Sequence, residues 1–374
     1  MATAFPQVRG FPSLTYEEIL CWLRESDSDR LAELWLAADQ TRRQCVGDEV
    51  HLRGLIEFSN HCARCCAYCG LRAPNRRLKR YRMSAAEILA CAGQAVWLGY
   101  GTVVLQSGED DGMPMQWMVD LIARIKAETT LAITLSLGER SEVELAAWRA
   151  AGADRYLLRF ETSNRRLYDR LHPPRQGIRS DRLAMLDTLR SLGYEVGSGV
   201  MIGLPGQTYE DLARDIELFG RLDLDMIGVG PYLPHPNTPL ADCRSQAAAR
   251  GQQQVPNDEA MTYKVIALSR LVCPRANIPA TTALATLNRK EGRELGLLRG
   301  ANVVMPNLTP PHYRALYEIY PHKACLVETA DTCHSCLRLR IEALGRKVGT
   351  GRGDSPNYQA RQTLCRELAH VSLS

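Results

Sequence analysis

Four short junctions constrain this chain more than any other feature: Leu98-Gly99-Tyr100, Ala151-Gly152-Ala153, Leu192-Gly193-Tyr194 and Arg299-Gly300-Ala301. Each sets a glycine between a segment of helical period and a short apolar run. Glycine can end a helix in the left-handed conformation without a Cβ penalty. A helix–glycine–strand junction that recurs is what a parallel βα array needs. Eight apolar runs keep that rhythm, at 55–58, 102–106, 132–137, 156–160, 196–201, 226–229, 277–280 and 302–305. The spacing predicts an α/β chain whose eight units close into a (β/α)8 TIM-type barrel, with its site at the C-terminal strand ends. A doubly wound open sheet is the alternative. Residues 15–45 read as two helices, with Leu31, Leu34, Trp35 and Ala38 at helical spacing. The expected division is an N-terminal helical segment over 1–48, a barrel over 49–320 and a C-terminal extension over 321–374. In that extension, Gly349-Thr350-Gly351-Arg352-Gly353-Asp354 reads as a mobile loop, and 357–368 as a last helix.

Directly after the first predicted strand come Cys62, Cys66 and Cys69, spaced Cys-x3-Cys-x2-Cys. Their position puts them on the face where a barrel carries its site. Three thiolates at this spacing can hold three irons of a 4Fe-4S cluster and leave the fourth iron open. A zinc knuckle with His61 as fourth ligand is the alternative. Cys65 falls outside the frame and reads as a spectator thiol. A second group, Cys325, Cys333 and Cys336, lies near the C-terminus with His334 beside it. It could hold a second cluster, 2Fe-2S or 4Fe-4S, or stand as a site with little part in the chemistry.

Composition excludes some classes of function. At 374 residues, 45% hydrophobic and 24% charged, the chain can bury a sizeable core. A net charge of +4 gives no warrant for nucleic-acid or membrane binding. No apolar run approaches the ~20 residues that span a bilayer. Thirteen cysteines without a secretory leader, from a start of Met1-Ala2-Thr3-Ala4-Phe5-Pro6, lead us to expect a reducing cytoplasm. Cys21, Cys45, Cys91, Cys243, Cys273 and Cys365 are scattered and read mostly as small core fillers.

Polar residues gather at the predicted strand ends. Gln106-Ser107-Gly108-Glu109 follows the second strand, as a binding turn or an ordinary βα turn. Ser136 ends the third. Arg155, Arg159 and Glu161 alternate along the fourth, and period two sends them to one face. Charges are costly against the outer helices, so that face is expected to be the barrel interior, although Arg155 could instead lie at the strand's solvent-facing start. The glycines of 203–208 lack a Walker lysine, so that turn is no phosphate loop. Thr281 and Thr282 end the seventh strand, Met305 and Asn307 the eighth, and Tyr317 and Tyr320 follow. His235, in a proline-rich loop, reads as structural.

The cysteine loop resembles that of the radical SAM superfamily. Further stretches are similar to HydE-type maturases of FeFe hydrogenases, over about residues 50–348. They include Tyr68-Cys69-Gly70-Leu71-Arg72, Arg159-Phe160-Glu161-Thr162, Gly203-Leu204-Pro205-Gly206-Gln207-Thr208, Ile278-Pro279-Ala280-Thr281-Thr282-Ala283 and Met305-Pro306-Asn307. Methylornithine synthase and biotin synthase share the barrel and the loop, and their small amino-acid or sulfur substrates are the alternative. The resemblance implies S-adenosylmethionine on the open iron and a 5′-deoxyadenosyl radical. Tyr68 would then pack by the adenine, with Met305 closing the pocket. Glu161 would hold the methionyl amino group, helped by Gln106 and Ser107. Arg182 would meet the methionyl carboxylate, and Ser136 the ribose or the substrate. Arg159, Thr281, Thr282 and Tyr317 would face the substrate. That substrate would be a small iron synthon carrying CO, cyanide and cysteine, attacked at sulfur to yield a sulfide-bridged diiron precursor. The implied partners are a sister radical SAM maturase that makes the synthon, a GTPase scaffold that receives the product, and a low-potential electron donor. A non-enzymatic scaffold that hands a metal to a partner is the remaining class.

Overall fold

The computed structural model describes residues 14–175, 177, 179–241, 253–326 and 330–371. The chain start and Cys243 lie outside them. Two helices come first, α1 (Tyr16–Arg24) and α2 (Ser28–Val46). Strand β1 (Glu49–Ser59) opens the barrel. Helix α3 (Ala85–Trp97) leads to β2 (Thr102–Ser107), α4 (Met115–Glu128) to β3 (Ala132–Ser136), and α5 (Glu142–Ala150) to β4 (Arg155–Leu157). Helices α6 (Arg165–Leu171) and α7 (Arg182–Ser191) precede β5 (Glu195–Ser198) and the short β6 (Met201–Ile202). Helix α8 (Tyr209–Arg221) precedes β7 (Met226–Ile227) and the short β8 (Gly230–Pro231), which pairs with β6. Then follow α9 (Glu259–Val272), α10 (Thr282–Leu287), α11 (Gly292–Leu298), β9 (Val303–Val304), α12 (Pro311–Arg314), α13 (Ala330–Ala343), β10 (Lys347–Val348) and α14 (Pro356–Val371).

Neighbours β1, β2, β3, β4, β5 and β7 pair in parallel, in sequence order. The circuit continues through residues 277–279, where Met226 bridges Asn277 and Pro279 bridges Val303. It returns when β9 pairs with β1 at His51 and Leu52. Eight parallel segments thus close on themselves, as the junction rhythm predicts. The four junction glycines have φ of 74°, 114°, 82° and 112° at Gly99, Gly152, Gly193 and Gly300, values at which a side chain would be strained. The opposite helix ends are also set locally. Ser84 with Glu87, Ser141 with Glu144, and Thr208 with Asp211 form capping boxes that satisfy the first free amides of α3, α5 and α8.

Helices α1 and α2 lie outside the barrel against α8 and α9. Leu34 and Ala38 are buried there, with Leu31 and Trp35 packed at the edge. Lys264 of α9 donates to the carbonyls of Leu23 and Glu25, closing the C-terminal end of α1.

The segment read as a mobile loop is instead the floor of the barrel. β10 pairs with the start of β1, and the chain then crosses the N-terminal strand ends as a strap. The Arg352 carbonyl accepts from Thr102 Oγ1 at 2.8 Å and from Arg155 Nη2 at 2.7 Å. The Gly353 carbonyl accepts from Arg53 and Asn277, each at 3.0 Å. Asp354 pairs with Arg155, and Ser355 bonds both Glu195 and Asp225. A Cβ on Gly101 would lie 1.6 Å from the Gly351 carbonyl oxygen, so the strap seats only over glycine. Arg155 therefore belongs to this floor, fully buried between Glu195 and Asp354. It does not join Arg159 and Glu161 in the cavity, because those two lie further along the strand, beyond the end of β4.

Removing one partner of a buried ion pair strands the other charge. Glu195→Ala is expected to destabilise the fold by about 3–5 kcal/mol, read as a lower denaturant midpoint by circular dichroism. An unchanged midpoint would mean that Arg155 does not depend on this carboxylate.

Candidate active site

The cysteine loop leaves the C-terminal end of β1 and is held from several sides. Asn60 donates to the carbonyls of Lys79 and Leu316 at 2.9 and 2.8 Å and accepts from the Tyr81 amide at 2.8 Å. Arg80 donates to the carbonyls of Asn60, Leu71 and Arg72. The amides of Ala63, Ala67 and Gly70 bond to Glu109, Leu171 and Ile319, so three other parts of the barrel mouth fix the loop. Gly70 permits the last contact, since a Cβ there would lie 2.1 Å from the Glu318 carbonyl oxygen.

Cys66 is buried, Cys62 and Cys69 are half-buried, and Cys65 is exposed. Burial pushes all three framed thiols up, Cys66 well above the ordinary range and Cys69 to about 12. Thiols in such a place ionise only if a strong cation compensates, which is what iron ligation supplies. Among the described residues no three Cys, His, Asp or Glu side chains surround one point as a single ion requires. A four-iron cluster spreads its thiolates over separate irons, whereas a zinc knuckle gathers them on one ion.

Cys62, Tyr68 and Cys69 open onto a cavity of about 320 Å³ inside the barrel. Its walls bring together Gln106, Ser107, Ser136, Arg159, Glu161, Arg182, Thr281, Thr282, Met305 and Tyr317, from five different strand ends or the segments after them. Glu161 sits at φ 63°, so a strained backbone aims its carboxylate inward. Arg159 pairs with Glu161 Oε1 at 3.1 Å, while the buried Oε2 has no hydrogen-bond partner among the described residues. The Tyr68 hydroxyl lies 2.9 Å from His172 Nε2 and 3.4 Å from Glu161 Oε1. Gln106 Nε2 donates to the Tyr317 hydroxyl at 3.3 Å. Thr281 caps α10 through its hydroxyl. Deeper still lie Arg53, Met226 and Asn277, directly above the strap.

Arg182 is more committed than its sequence context suggests. It closes a ring of alternating charge, Arg182–Glu139–Arg64–Glu109, with Nε 2.9 Å from Glu139 and Nη2 3.5 Å from Glu109. It also donates to the Arg159 carbonyl at 2.7 Å. Burial pushes Glu109 up despite both arginines. Burial opposes Glu139 as well, but Arg182 and the Ser180 hydroxyl outweigh it and hold that carboxyl below its usual range. Sequence reasoning missed this ring. A signal was present, because Gly108-Glu109 and Gly138-Glu139 repeat one pattern after consecutive strands. His172, and the Lys323–Glu57 pair on the cavity wall, carried no such signal.

The C-terminal cysteines lie away from this cavity, and none of them lines it. Cys325, half-buried at φ 62°, accepts from Arg293 Nη2 at 3.3 Å, while Cys336 is exposed. His235 is buried, its Nδ1 accepting from the Asn237 amide, and it does not line the cavity.

The Radical SAM superfamily model matches residues 56–219. The FeFe hydrogenase maturase subunit HydE of Thermotoga maritima is 48% identical over 316 residues, 84% of this chain and 86% of that protein. A 3-methylornithine synthase of Methanosarcina barkeri is 29% identical over 91% of each chain. The crystal structure of methylornithine synthase (PylB) superposes with a TM-score of 0.74 at 26% identity, covering 90% of this chain and 95% of that one. The HydG structure from Carboxydothermus hydrogenoformans, at 18% identity and TM-score 0.71 over 88% and 75%, shares the fold. No helix among the described residues is long and apolar enough to cross a membrane.

Asp215 supports the turn after Glu161 by accepting from the Ser163 amide at 2.6 Å and from its hydroxyl. Burial raises its carboxyl to about 7. The folded chain then keeps a proton that the unfolded chain releases near pH 4. That contribution to stability is full below about pH 4 and is lost as the pH rises to 7. Asp215→Asn keeps Oδ1 but cannot ionise. Denaturant titrations from pH 4 to 8 should show wild type losing stability relative to this variant up to about pH 7 and no further. Parallel profiles would show that Asp215 is ionised throughout.

Proposed function

From the premise that this chain belongs to the HydE family of radical SAM enzymes, we propose how its residues divide the work of hydrogenase maturation. One observation carries the reading: two thiols of one pinned loop, Cys62 and Cys69, line the cavity into which Glu161 turns a buried carboxylate oxygen that has no partner among the described residues. The donor set fits a 4Fe-4S cluster with one open iron, held by Cys62, Cys66 and Cys69. Bound there, the cluster and S-adenosylmethionine supply the one-electron chemistry that makes a 5′-deoxyadenosyl radical.

The chain's own residues bind, orient and exclude water. Glu161 Oε2 accepts from the methionyl amino group, with Gln106 and Ser107 beside it. Arg182 meets the carboxylate with donor capacity left over from its ring. Tyr68 and Met305 pack the adenine, and Ser136 reaches the ribose. Arg159, Thr281, Thr282 and Tyr317 face the substrate, where a planar guanidinium suits an anionic group. The amino group at Oε2 leaves the Arg159 contact on Oε1 in place, so the carboxylate serves both donors at once.

The substrate we assign is a small iron synthon bearing CO, cyanide and cysteine, attacked at its cysteine sulfur, and the product is a sulfide-bridged diiron precursor. A sister radical SAM maturase would supply the one, a GTPase scaffold receive the other, and a low-potential donor reduce the cluster. The C-terminal cysteines could carry a second cluster of two or four irons. They line no part of the cavity, so we assign that cluster no role in radical formation.

Cys66→Ala should lose the reconstituted four-iron absorbance and release no 5′-deoxyadenosine; retention of both would remove the loop from the chemistry. For the substrate, the decisive assay is anaerobic and uses reduced, reconstituted protein with S-adenosylmethionine, with and without the synthon. Synthon-dependent 5′-deoxyadenosine, with an adduct at the cysteine sulfur, is expected. Slow release that ignores the synthon would point to another small amino-acid or sulfur substrate. No cleavage by protein with its cluster intact would leave a metal-delivering scaffold.

A further inference from the structure

Between Glu57 and Glu87 the chain carries seven lysines and arginines and no acidic residue. The whole chain has an excess of only four, so this one stretch outweighs it and leaves the remainder slightly acidic. The stretch holds the cysteine loop and the segment that folds back over it.

Three of the seven are engaged internally. Arg64 is neutralised by Glu109 and Glu139, and Arg82 by Asp110. Arg80 is occupied by the carbonyls that pin the loop. The other four, Arg72, Arg76, Arg77 and Lys79, form no ion pair among the described residues. Arg76, Arg77 and Lys79 are exposed.

This unneutralised set lies against the outer side of the cysteine loop. The Ala73 amide donates to the Arg64 carbonyl at 2.8 Å, and Arg72 Nη2 donates to the Cys65 carbonyl at 3.2 Å. Cys65 is exposed, and its neighbour Cys66 is buried. Cys62 and Cys69 line the cavity instead. On the side away from the cavity, therefore, solvent is reached one residue from a cluster ligand, and that is where the basic set stands. The cavity side is the one that S-adenosylmethionine fills. An electron from outside has to enter past the loop rather than past the ligand. Exposed cations without partners add little to stability, but they attract and orient a negatively charged protein.

We propose that residues 72–79, with Cys65 at their edge, form the docking surface for an acidic protein that carries single electrons. The carrier is oxidised by one electron and the cluster is reduced by one. Two observations identify the occupant: the sign of the charge, and its place against the loop. This rests on the reading of Cys62, Cys66 and Cys69 as the cluster ligands.

The test uses anaerobically reconstituted holoenzyme and an acidic flavodoxin, with an acidic 2Fe-2S ferredoxin as second probe. Titration calorimetry measures the affinity of the oxidised, unreactive carrier. The photoreduced carrier is then supplied with S-adenosylmethionine, and 5′-deoxyadenosine is followed. Reduced methyl viologen, a small cation, is the reference reductant, and iron content is determined for every variant. Arg76→Glu/Lys79→Glu reverses two exposed charges. Arg221→Glu/Lys347→Glu makes the same change in net charge at exposed positions on the opposite end of the barrel. The first should weaken carrier binding and slow carrier-driven turnover about tenfold at low ionic strength, the second less than about twofold. The wild-type advantage should shrink as salt rises from about 0.05 to about 0.5 M. With methyl viologen all three proteins should agree within about twofold. Should Arg76→Glu/Lys79→Glu lose its iron, Arg76→Gln/Lys79→Gln should show a loss of about threefold.

Unchanged affinity and rate overturn the proposal, as does wild type that binds neither carrier. An equal loss in the two double variants also overturns it, because net charge alone would then be at work. So does a loss that methyl viologen shares. Binding that weakens while carrier-driven turnover holds overturns it in favour of an acidic partner that brings no electron. Absence of 5′-deoxyadenosine with every reductant is a different result: it removes the radical reading, and this inference with it.

Discussion

A guanidinium with no exposed surface has to be neutralised where it stands, and the floor of this barrel is organised around that requirement at Arg155. Glu195 supplies one carboxylate from the next strand. The other comes from Asp354, almost two hundred residues later, and brings a strap of backbone with it. Once seated, that strap offers carbonyls to Arg53 on β1, Thr102 on β2, Arg155 on β4 and Asn277 on the seventh segment. One ionic requirement thereby ties both halves of the barrel together at the end opposite the site. The strands above can then end in polar, strained or unpaired groups, because closure does not depend on them.

The mouth shows the complementary situation. Glu161 is held at positive φ with an oxygen that has no partner among the described residues, Arg182 is shared between two glutamates, and burial pushes the Cys62, Cys66 and Cys69 thiols up. Each arrangement has a cost that a bound ligand offsets. Costs of this kind persist only in a frame stiff enough to impose them, and the pinned loop of 60–83 and the capped helices supply it.

Much of this was legible in the sequence, for physical reasons that are local. The junction glycines mark helix ends because only glycine is comfortable at their φ, and all eight barrel segments fall where those junctions imply. The cysteine spacing and the polar strand ends come together in one cavity because a barrel places all its C-terminal strand ends on one face. What was not legible depends on partners distant in sequence. The run 349–354 carries every mark of a mobile loop, and nothing local shows that its carbonyls are taken by four side chains from elsewhere. Arg155 obeyed the alternation that joined it to Arg159 and Glu161, yet alternation says nothing about depth along a strand. The ring of Arg64, Glu109, Glu139 and Arg182 spans four separate segments, so no single window of sequence contains it.

The strap has a consequence for orientation. Among the described residues Arg352, Gly353 and Asp354 seal the floor of the barrel, and the cysteine loop lines the cavity at the opposite strand ends. A group held low in the cavity, near Arg53 and Asn277, would rest on the strap and face away from it, toward the strand ends that carry the cysteine loop.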